Sequence, residues 1–309
     1  MEIEILNAAG SKPLGKIQVK PDSTIRDVKE KIHQSIKKSL GPDRQAIKLE
    51  AKGKTLKDED TLRSLNIEDS TKLYVKDLGP QISWKNVFLA EYAGPLFIYL
   101  WTYQRPWILY GAQASAPGQV ATLLQSTAGH SVAAACWSIH YGKRLLETLF
   151  VHRFSHGTMP LKNLFRNCAY YWLFTLYVAY HINHPLYTAP CTSCYYVGLT
   201  GFVLCELGNL SIHLLLKNLR PPGTKVRRVP VPDGNPFSLL FNFVSCPNYT
   251  YEFGSWLFFT IMTKCAPAGL FAAAGFYQMA VWAIGKHRNY KKEFVDYPKG
   301  RKAILPFIL

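Results

Sequence analysis

The sequence SCPNYTYE, at residues 245–252, separates a polar loop rich in proline and arginine from an apolar aromatic run that begins at Gly254. Asn248 and Glu252 are four residues apart, so a helix that begins here places the amide and the carboxylate on one face. Pro247 suits the first turn of such a helix, where its missing N–H is not needed. Taken alone, the stretch is explained equally well by a helix start with a solvent-directed carboxylate and by a binding site.

The charged residues divide the 309-residue chain into two unlike parts. Residues 1–77 contain 16 Lys/Arg and 13 Asp/Glu, which is typical of a small soluble domain, whereas residues 78–309 contain the remaining 20 basic and 7 acidic residues, a net charge of +13. Apolar runs of roughly 17 to 25 residues, long enough to cross a bilayer, fill the second part. This pattern predicts an integral membrane protein with a soluble head and no N-terminal signal segment.

The first 77 residues have the pattern of a small α+β domain. Alternating apolar residues near Ile5 and Ile17 predict a hairpin, and Thr24 followed by Asp27 predicts the start of a helix over residues 24–37. Further strands are predicted near residues 47–51 and 72–75. The order and length of these elements resemble a ubiquitin-like β-grasp domain. The chain continues past residue 77 through a short linker at 78–86, so a binding or spacing role is favoured over conjugation.

The remaining residues, 87–309, predict an all-α membrane bundle of about six to seven spans, with a C-terminal tail at 286–309. A short apolar stretch at 237–244 predicts a re-entrant or interfacial segment. The six predicted spans are 87–103, 120–139, 168–187, 195–216, 254–262 with flanks, and 266–284.

The basic residues also predict the orientation. Lys85, the 142–167 and 217–236 connections and the tail contain 18 of the 20 basic residues of this part, which places them on the cytosolic side together with both termini. Polar groups that are costly in lipid then gather at this one face, as expected for an active site rather than a transport path. They are Glu91, His140, Tyr141, Asn209, His213, residues 248–252 and residues 286–290.

Neither a metal site nor a Rossmann nucleotide site is predicted. Cys191 and Cys194 form a single CxxC without a second pair or a nearby histidine, a spacing that disfavours zinc binding. The chain contains no GxGxxG motif. A polar stripe at helical spacing, Asn209, His213, Lys217 and Arg220, is instead suited to phosphate and ribose groups.

Several long motifs carry a resemblance to a known family. The membrane part resembles the steroid 5α-reductase superfamily, and the whole chain resembles the very-long-chain trans-2-enoyl-CoA reductases, which also have a ubiquitin-like head. The motifs are AEYAGPLFIYL (90–100), HYGKRLLETLFVHRFSHGTMP (140–160), GNLSIHLLLKNLRPPG (208–223), SCPNYTYEFGSW (245–256) and KHRNYKKEFVDYPKGRKAILPFIL (286–309).

The resemblance implies an NADPH-dependent reductase of a carbon–carbon double bond conjugated to a carbonyl. Glu91 and Tyr141 match a carboxylate–phenol pair beside the substrate carbonyl, and Tyr249 matches the tyrosine regarded as catalytic in enoyl-CoA reductases. His213 stands where steroid reductases have an aspartate. The implied cofactor-binding residues are Asn209, His213, Arg220, Asn248, Glu252, Lys286, His287, Arg288 and Tyr290.

In the implied mechanism, Tyr249 donates the proton to C2 while Tyr141 and Glu91 orient the thioester. The reverse assignment of the two phenols stays open. The resemblance further implies an endoplasmic reticulum membrane location and a long-chain or very-long-chain trans-2-enoyl-CoA substrate. Its implied partners are membrane lipid, a fatty acid elongase, a 3-ketoacyl-CoA reductase and a 3-hydroxyacyl-CoA dehydratase, with no nucleic acid. A steroid or sterol enone reductase and a catalytically silent membrane scaffold are the alternatives.

Overall fold

The structure is a computed structural model that describes residues 1–112, 123–154, 157–219 and 228–309, with side chains of the helix at 123–150 described from Gly129 onward. The chain divides into two compact units. The first comprises residues 1–86 and 156–165, and the second comprises residues 87–155 and 166–309.

The first unit contains a four-stranded sheet crossed by one helix. Its elements are β1 (Glu2–Asn7), β2 (Pro13–Gln18), α1 (Ile25–Ser35), β3 (Gln45–Lys48) and β4 (Lys72–Asp77). The strands lie in the order β2-β1-β4-β3, with β1 and β4 parallel and the other neighbours antiparallel. This is the arrangement expected of a ubiquitin-like domain.

Local sequence explains these elements. In β1, Ile3 and Ile5 are fully buried, as the period of two along a strand requires. Thr24 caps α1 through a reciprocal capping box with Asp27, and one apolar face of the helix packs on the sheet through Ile32 and its neighbours. The predicted hairpin and helix start are confirmed.

Beyond the sheet, the first unit contains a short antiparallel pair, β5 (Gln81–Ser83) with β6 (Thr158–Pro160). Leu161 donates its backbone N–H to the carbonyl of Pro80, which extends this pairing. The segment predicted as a linker at 78–86 therefore includes a strand, whose partner lies almost eighty residues later in the chain. Periodicity could not reveal a pair so distant in sequence.

The second unit is helical, with its largest buried side chains in the centre. Trp137 is fully buried and its ring contacts those of Tyr99, Trp256 and Phe271. The helices that enter this unit are α2 (Trp84–Tyr103), α3 (Trp107–Tyr110), α4 (Leu123–Phe150), α5 (Lys162–Ile182), α6 (Thr192–Asn218), α7 (Pro247–Thr263) and α8 (Ala266–Glu293).

The helices α6 and α7 approach each other closely along a line of glycines. A Cβ at Gly198 would collide with the backbone of Met262, and one at Gly208 would lie 2.6 Å from the ring of Tyr251. Only glycine permits this backbone distance. The close approach places the end of α6, with Asn209, directly against the beginning of α7, with Asn248 and Glu252.

Two helices among the described residues are long and apolar enough to cross a membrane, α6 and α8. The predicted spans coincide with parts of α2, α4, α5, α6, α7 and α8, except that residues 120–122 lie outside the described residues. The short apolar segment is a 3-10 helix, Pro236–Asn242. The helix α8 continues to Glu293, so residues 286–293, predicted as the start of the tail, are helical.

The two cysteines of the CxxC motif form a disulfide at the beginning of α6. Cys191 is the N-cap of that helix and its Sγ accepts a hydrogen bond from the backbone N–H of Cys194. The other five cysteines are free.

Candidate functional site

One face of α4 supplies four charged or titratable side chains to the interior of the second unit. His140, Lys143, Arg144 and Glu147 follow the spacing i, i+3, i+4 and i+7, which places them on the same side of a helix. His140 and Glu147 are 2% and 1% exposed. Buried charges require partners, and α6 and α7 provide them.

The first group of partners, together with His140, forms a closed ring of five side chains joined by hydrogen bonds and ion pairs. His140 Nδ1 lies 2.8 Å from Glu206 Oε1, and His140 Nε2 lies 3.3 Å from Glu252 Oε1. Glu252 Oε2 accepts a hydrogen bond of 3.1 Å from Asn209 Nδ2, and Asn209 Oδ1 accepts one of 2.7 Å from Lys143 Nζ. The ammonium of Lys143 completes the ring as an ion pair, 2.9 Å from Glu206 Oε2.

A second cluster, adjacent to the ring, is centred on Arg144. Its guanidinium donates to Glu147 Oε2 at 2.9 Å and to the phenol oxygen of Tyr92 at 2.9 Å, and lies 3.3 Å from His213 Nδ1. His152 Nε2 lies 3.2 Å from the same nitrogen of His213. Burial, and then the positive charge of Arg144, lower the pKa of His152 to about 3, so its imidazole is neutral at physiological pH.

Glu147, His152 and His213 lie close enough to share a metal ion, since their ligand atoms are within 4.8 Å of one another. The guanidinium of Arg144 already contacts both the carboxylate and the imidazole that would be ligands. A cation placed among them would meet that positive charge at short range. We therefore assign this cluster to hydrogen bonding.

The predicted pair of Glu91 and Tyr141 lies next to Arg144, around Tyr92. Glu91 is 3% exposed and accepts a hydrogen bond of 3.0 Å from Asn167 Nδ2. Tyr141 is buried beside Tyr92, with ring centroids 6.3 Å apart, and its hydroxyl has no hydrogen-bond partner among the described residues. A buried hydroxyl without a partner is uncommon in native proteins and is explained by a water molecule, a ligand atom or local strain, and the hydroxyls of Tyr99, Ser138 and Ser255 share this property.

Tyr249 occupies a different environment from Tyr141. It lies in the first turn of α7 and packs toward α8, where the ammonium of Lys286 is 5.5 Å from its ring centroid and the ring of Trp282 is 6.3 Å away. The two phenols therefore belong to separate packing clusters, with Tyr141 among the central aromatic residues and Tyr249 beside the end of α8.

The C-terminal segment folds back onto the sequence that begins α7. The backbone of Lys302 exchanges hydrogen bonds with Phe243 and Ser245, in a bridge to Val244. The hydroxyl of Ser245 contacts His287 Nδ1 at 2.6 Å and the hydroxyl of Tyr297 at 2.5 Å. These contacts hold the predicted cofactor residue His287 next to SCPNYTYE.

The structure thus brings together many of the predicted site residues. Asn209, Asn248 and Glu252 are in direct contact through the ring, and Glu91 and Tyr141 surround Tyr92. His213 belongs to the Arg144 cluster. At the end of α8, Arg288 is exposed and the ring of Tyr290 lies 5.8 Å from that of Tyr297. The predicted residue Arg220 lies outside the described residues.

The sequence-based prediction placed His140 on the polar face but assigned no catalytic or cofactor-binding role to it or to four other buried or partly buried residues of these two clusters. The available signal was the helical spacing of four of them within HYGKRLLE, combined with the rarity of acidic residues after residue 77. The fifth, in the apolar helix α6, is detectable only as an intramembrane acid. The five residues are His140, Lys143, Arg144, Glu147 and Glu206.

Comparison with known proteins agrees with this architecture. Residues 1–77 match the ubiquitin-like domain family of TECR, and residues 157–309 match the family described as 3-oxo-5-alpha-steroid 4-dehydrogenase. The chain therefore combines a ubiquitin-like N-terminal domain with a C-terminal part that matches this oxidoreductase family.

Comparison with full-length relatives identifies the enzyme family to which the chain belongs. The chain is 56% identical to the "Probable very-long-chain enoyl-CoA reductase art-1" of Caenorhabditis elegans, over 93% of this chain and 91% of the relative. It is 43% identical to the very-long-chain enoyl-CoA reductase of Dictyostelium discoideum over the whole of both chains. It is also 44% identical to the human trans-2,3-enoyl-CoA reductase-like protein, over 100% of this chain and 84% of the relative. The chain belongs to the very-long-chain enoyl-CoA reductase family.

Proposed function

We propose that this protein reduces the double bond of a long-chain or very-long-chain trans-2-enoyl-CoA with NADPH, the last step of each elongation cycle of very-long-chain fatty acids. The observation that carries the proposal is the buried, unpartnered hydroxyl of Tyr141, whose ring lies beside that of Tyr92. In a chain this similar to enoyl-CoA reductases, that hydroxyl is suited to receive a thioester oxygen.

The donor set fits a nicotinamide dinucleotide. Lys286, His287 and Arg288 are consecutive at the end of α8 and offer cationic or hydrogen-bonding groups for phosphates, and the tail holds His287 in place. When bound, the cofactor supplies a hydride to C3 of the enoyl thioester. The residues proposed to hold it are Asn209, His213, Arg220, Asn248, Glu252, Lys286, His287, Arg288 and Tyr290.

The protein's own residues then manage the negative charge and the proton. The hydroxyl of Tyr141 donates a hydrogen bond to the thioester oxygen and stabilises the enolate, with Glu91 orienting the group. Tyr249 donates its proton to C2, and the positive charge of Lys286 near its ring favours the resulting phenolate. Water reprotonates Tyr249 afterwards. Exchange of the roles of Tyr141 and Tyr249 is the alternative assignment.

The membrane placement extends the same proposal. The protein is a multi-pass protein of the endoplasmic reticulum with about six spans, and both termini and the active site face the cytosol. Residues 1–77 form the head, 78–86 the linker and 87–309 the catalytic domain. Two apolar helices of membrane-spanning length and the distribution of basic residues support this arrangement. An elongase, a 3-ketoacyl-CoA reductase and a 3-hydroxyacyl-CoA dehydratase would supply the substrate.

One assay tests the proposed function. Purified protein in detergent or vesicles is mixed with NADPH and either a long-chain trans-2-enoyl-CoA or a steroid enone, and NADPH consumption is measured. We expect consumption with the enoyl-CoA and formation of saturated acyl-CoA. Consumption with the steroid alone would assign the protein to steroid reduction, and consumption with neither would contradict the proposed activity.

A further inference from the structure

We propose that the closed ring of hydrogen bonds and ion pairs formed by His140, Glu206, Lys143, Asn209 and Glu252 is a positioning device that fixes Glu252 and the first turn of α7 for the cofactor. The proposal rests on the proposed function and assigns a role to Glu206 and His140, which the proposed chemistry leaves unused. Three features of the ring support it.

The first feature is the protonation that the ring requires. Both nitrogens of His140 face carboxylate oxygens, of Glu206 on one side and Glu252 on the other. An imidazole nitrogen without a proton would point its lone pair at a carboxylate, so both nitrogens of His140 bear protons and its side chain is an imidazolium. The ring then contains two cations, His140 and Lys143, and two anions, and its net charge is zero.

The second feature is that Asn209 has no free donor. One of its two amide hydrogens is given to Glu252 Oε2 at 3.1 Å and the other to the backbone carbonyl of Asn248 at 2.9 Å. Its oxygen accepts from Lys143. A side-chain amide has only two hydrogens to donate, so Asn209 cannot also donate to a cofactor without breaking the ring. Its contacts fix the side chain of Glu252 and the backbone of Asn248.

The third feature is the location of Glu206. It is buried in the apolar helix α6, where an isolated carboxylate would be strongly unfavourable. Its two oxygens contact His140 and Lys143. His140 contacts Glu252 directly, and Lys143 is connected to Glu252 through Asn209. Glu206 therefore acts through other side chains, as a positioning residue.

The charge balance of the ring provides the test. In Glu206→Gln two cations face one anion, and in Lys143→Met two anions face one cation. Each single variant leaves an uncompensated buried charge. The double variant again pairs one cation with one anion. We expect each single substitution to raise the dissociation constant for NADPH roughly 10- to 100-fold, the same scale as for metal sites that lose the partners of their ligands.

The double variant should bind NADPH no more weakly than the weaker-binding single variant, which is non-additive behaviour. The Michaelis constant for the enoyl-CoA should stay within about twofold of the unsubstituted protein, because both variants retain His140, the ring member that packs on Tyr141 with ring centroids 5.0 Å apart. Glu68→Gln, the same chemical change at an exposed position of the head, is the matched control and should leave NADPH binding unchanged.

NADPH binding is measured by titration without acyl substrate, alongside the thermal midpoint of each variant. If the singles lower the midpoint while NADPH affinity is unchanged, the ring is only structural and the proposal is wrong. Multiplicative effects in the double variant would also contradict it. If the unsubstituted protein fails to bind NADPH, the proposed function is wrong and the role assigned to the ring falls with it. If the unsubstituted protein binds NADPH and both single variants bind it with the same dissociation constant, only the proposal about the ring is overturned.

Discussion

The head and the helical unit contain the same types of charged residue, but most ion pairs of the head are exposed and those of the helical unit are buried. In the head, ion pairs such as Lys16–Glu2 lie at the surface, with side chains 63% and 37% exposed. In the helical unit, Glu147 and Glu206 are 2% and 8% exposed at the side chain and pair with Arg144 and Lys143. Burial, rather than residue type, separates a solubilising charge from a structural one.

The energetic consequence follows from solvation. Water screens a surface pair, so its net contribution is about 0 to 1 kcal/mol. A buried charge that loses its partner keeps its full desolvation cost, which amounts to about 3 to 5 kcal/mol. The buried charges of the helical unit therefore depend on their partners, whereas the exposed pairs of the head tolerate the loss of individual ones; the pair of buried Lys29 with Asp58 is the exception in the head.

The largest expected effect compares two arginines. Arg144→Met removes one ion-pair partner of buried Glu147, which keeps His213 and Lys143, and also removes the donor to Tyr92, so we expect the free energy of unfolding to fall by up to about 3 to 5 kcal/mol. Arg26→Met in the head removes exposed ion pairs with Asp43 and Glu30. This substitution should lower the free energy of unfolding by no more than about 1 kcal/mol. Denaturant titration of both proteins measures the difference. Equal decreases in the free energy of unfolding would show that buried and exposed ion pairs contribute equally to the stability of the two regions.

The next effect concerns the two phenols of the helical unit. Tyr249→Phe retains the ring and should change stability by no more than about 1 kcal/mol, the scale of a single hydrogen bond. If Tyr249 donates the proton, turnover falls by about 100-fold or more, while NADPH affinity stays close to that of the unsubstituted protein.

Tyr141→Phe is the matched variant for this comparison. It removes the unpartnered buried hydroxyl, so we expect a higher Michaelis constant for the enoyl-CoA and a milder loss of turnover. Steady-state kinetics of both variants distinguish the roles. Loss of turnover in Tyr141→Phe with a nearly unaffected Tyr249→Phe would exchange the two assignments.

A smaller effect is expected at an exposed cation of the helical unit. Arg288 is exposed at the end of α8, and we propose that it contacts the 2′-phosphate of the cofactor. Arg288→Ala should reduce the preference for NADPH over NADH by about tenfold, because one charge-assisted contact is worth about 1.5 kcal/mol or more. Dissociation constants for the two cofactors provide the measurement. An unchanged preference, with weaker binding to anionic vesicles, would assign Arg288 to lipid.

The smallest effect is expected from the head itself. Deletion of residues 1–77 removes the four-stranded sheet and α1 but keeps β5 and every residue proposed to hold the cofactor. We expect the dissociation constant for NADPH to change by less than about twofold in the truncated, folded protein. The deletion therefore tests whether the head contributes to NADPH binding. Loss of binding in the folded, truncated protein would show that it does.

The sequence determined those features that depend on neighbouring residues. Thr24 and Asp27 predicted the capped beginning of α1, because a capping box needs only four consecutive residues. The four-residue spacing of Asn248 and Glu252 predicted their common face on α7. Apolar runs and the distribution of basic residues indicated a helical membrane part. The long tail motif indicated the family, which the relatives confirm.

Only the tertiary structure decided which of these residues meet. His140 and Glu206 are 66 residues apart, and Glu252 joins them from a third helix. Helical periodicity assigns a side chain to a face but does not say which helix packs against it. Here the glycines that bring α6 against α7 close the ring, because only that short distance lets Asn209 reach both Asn248 and Glu252.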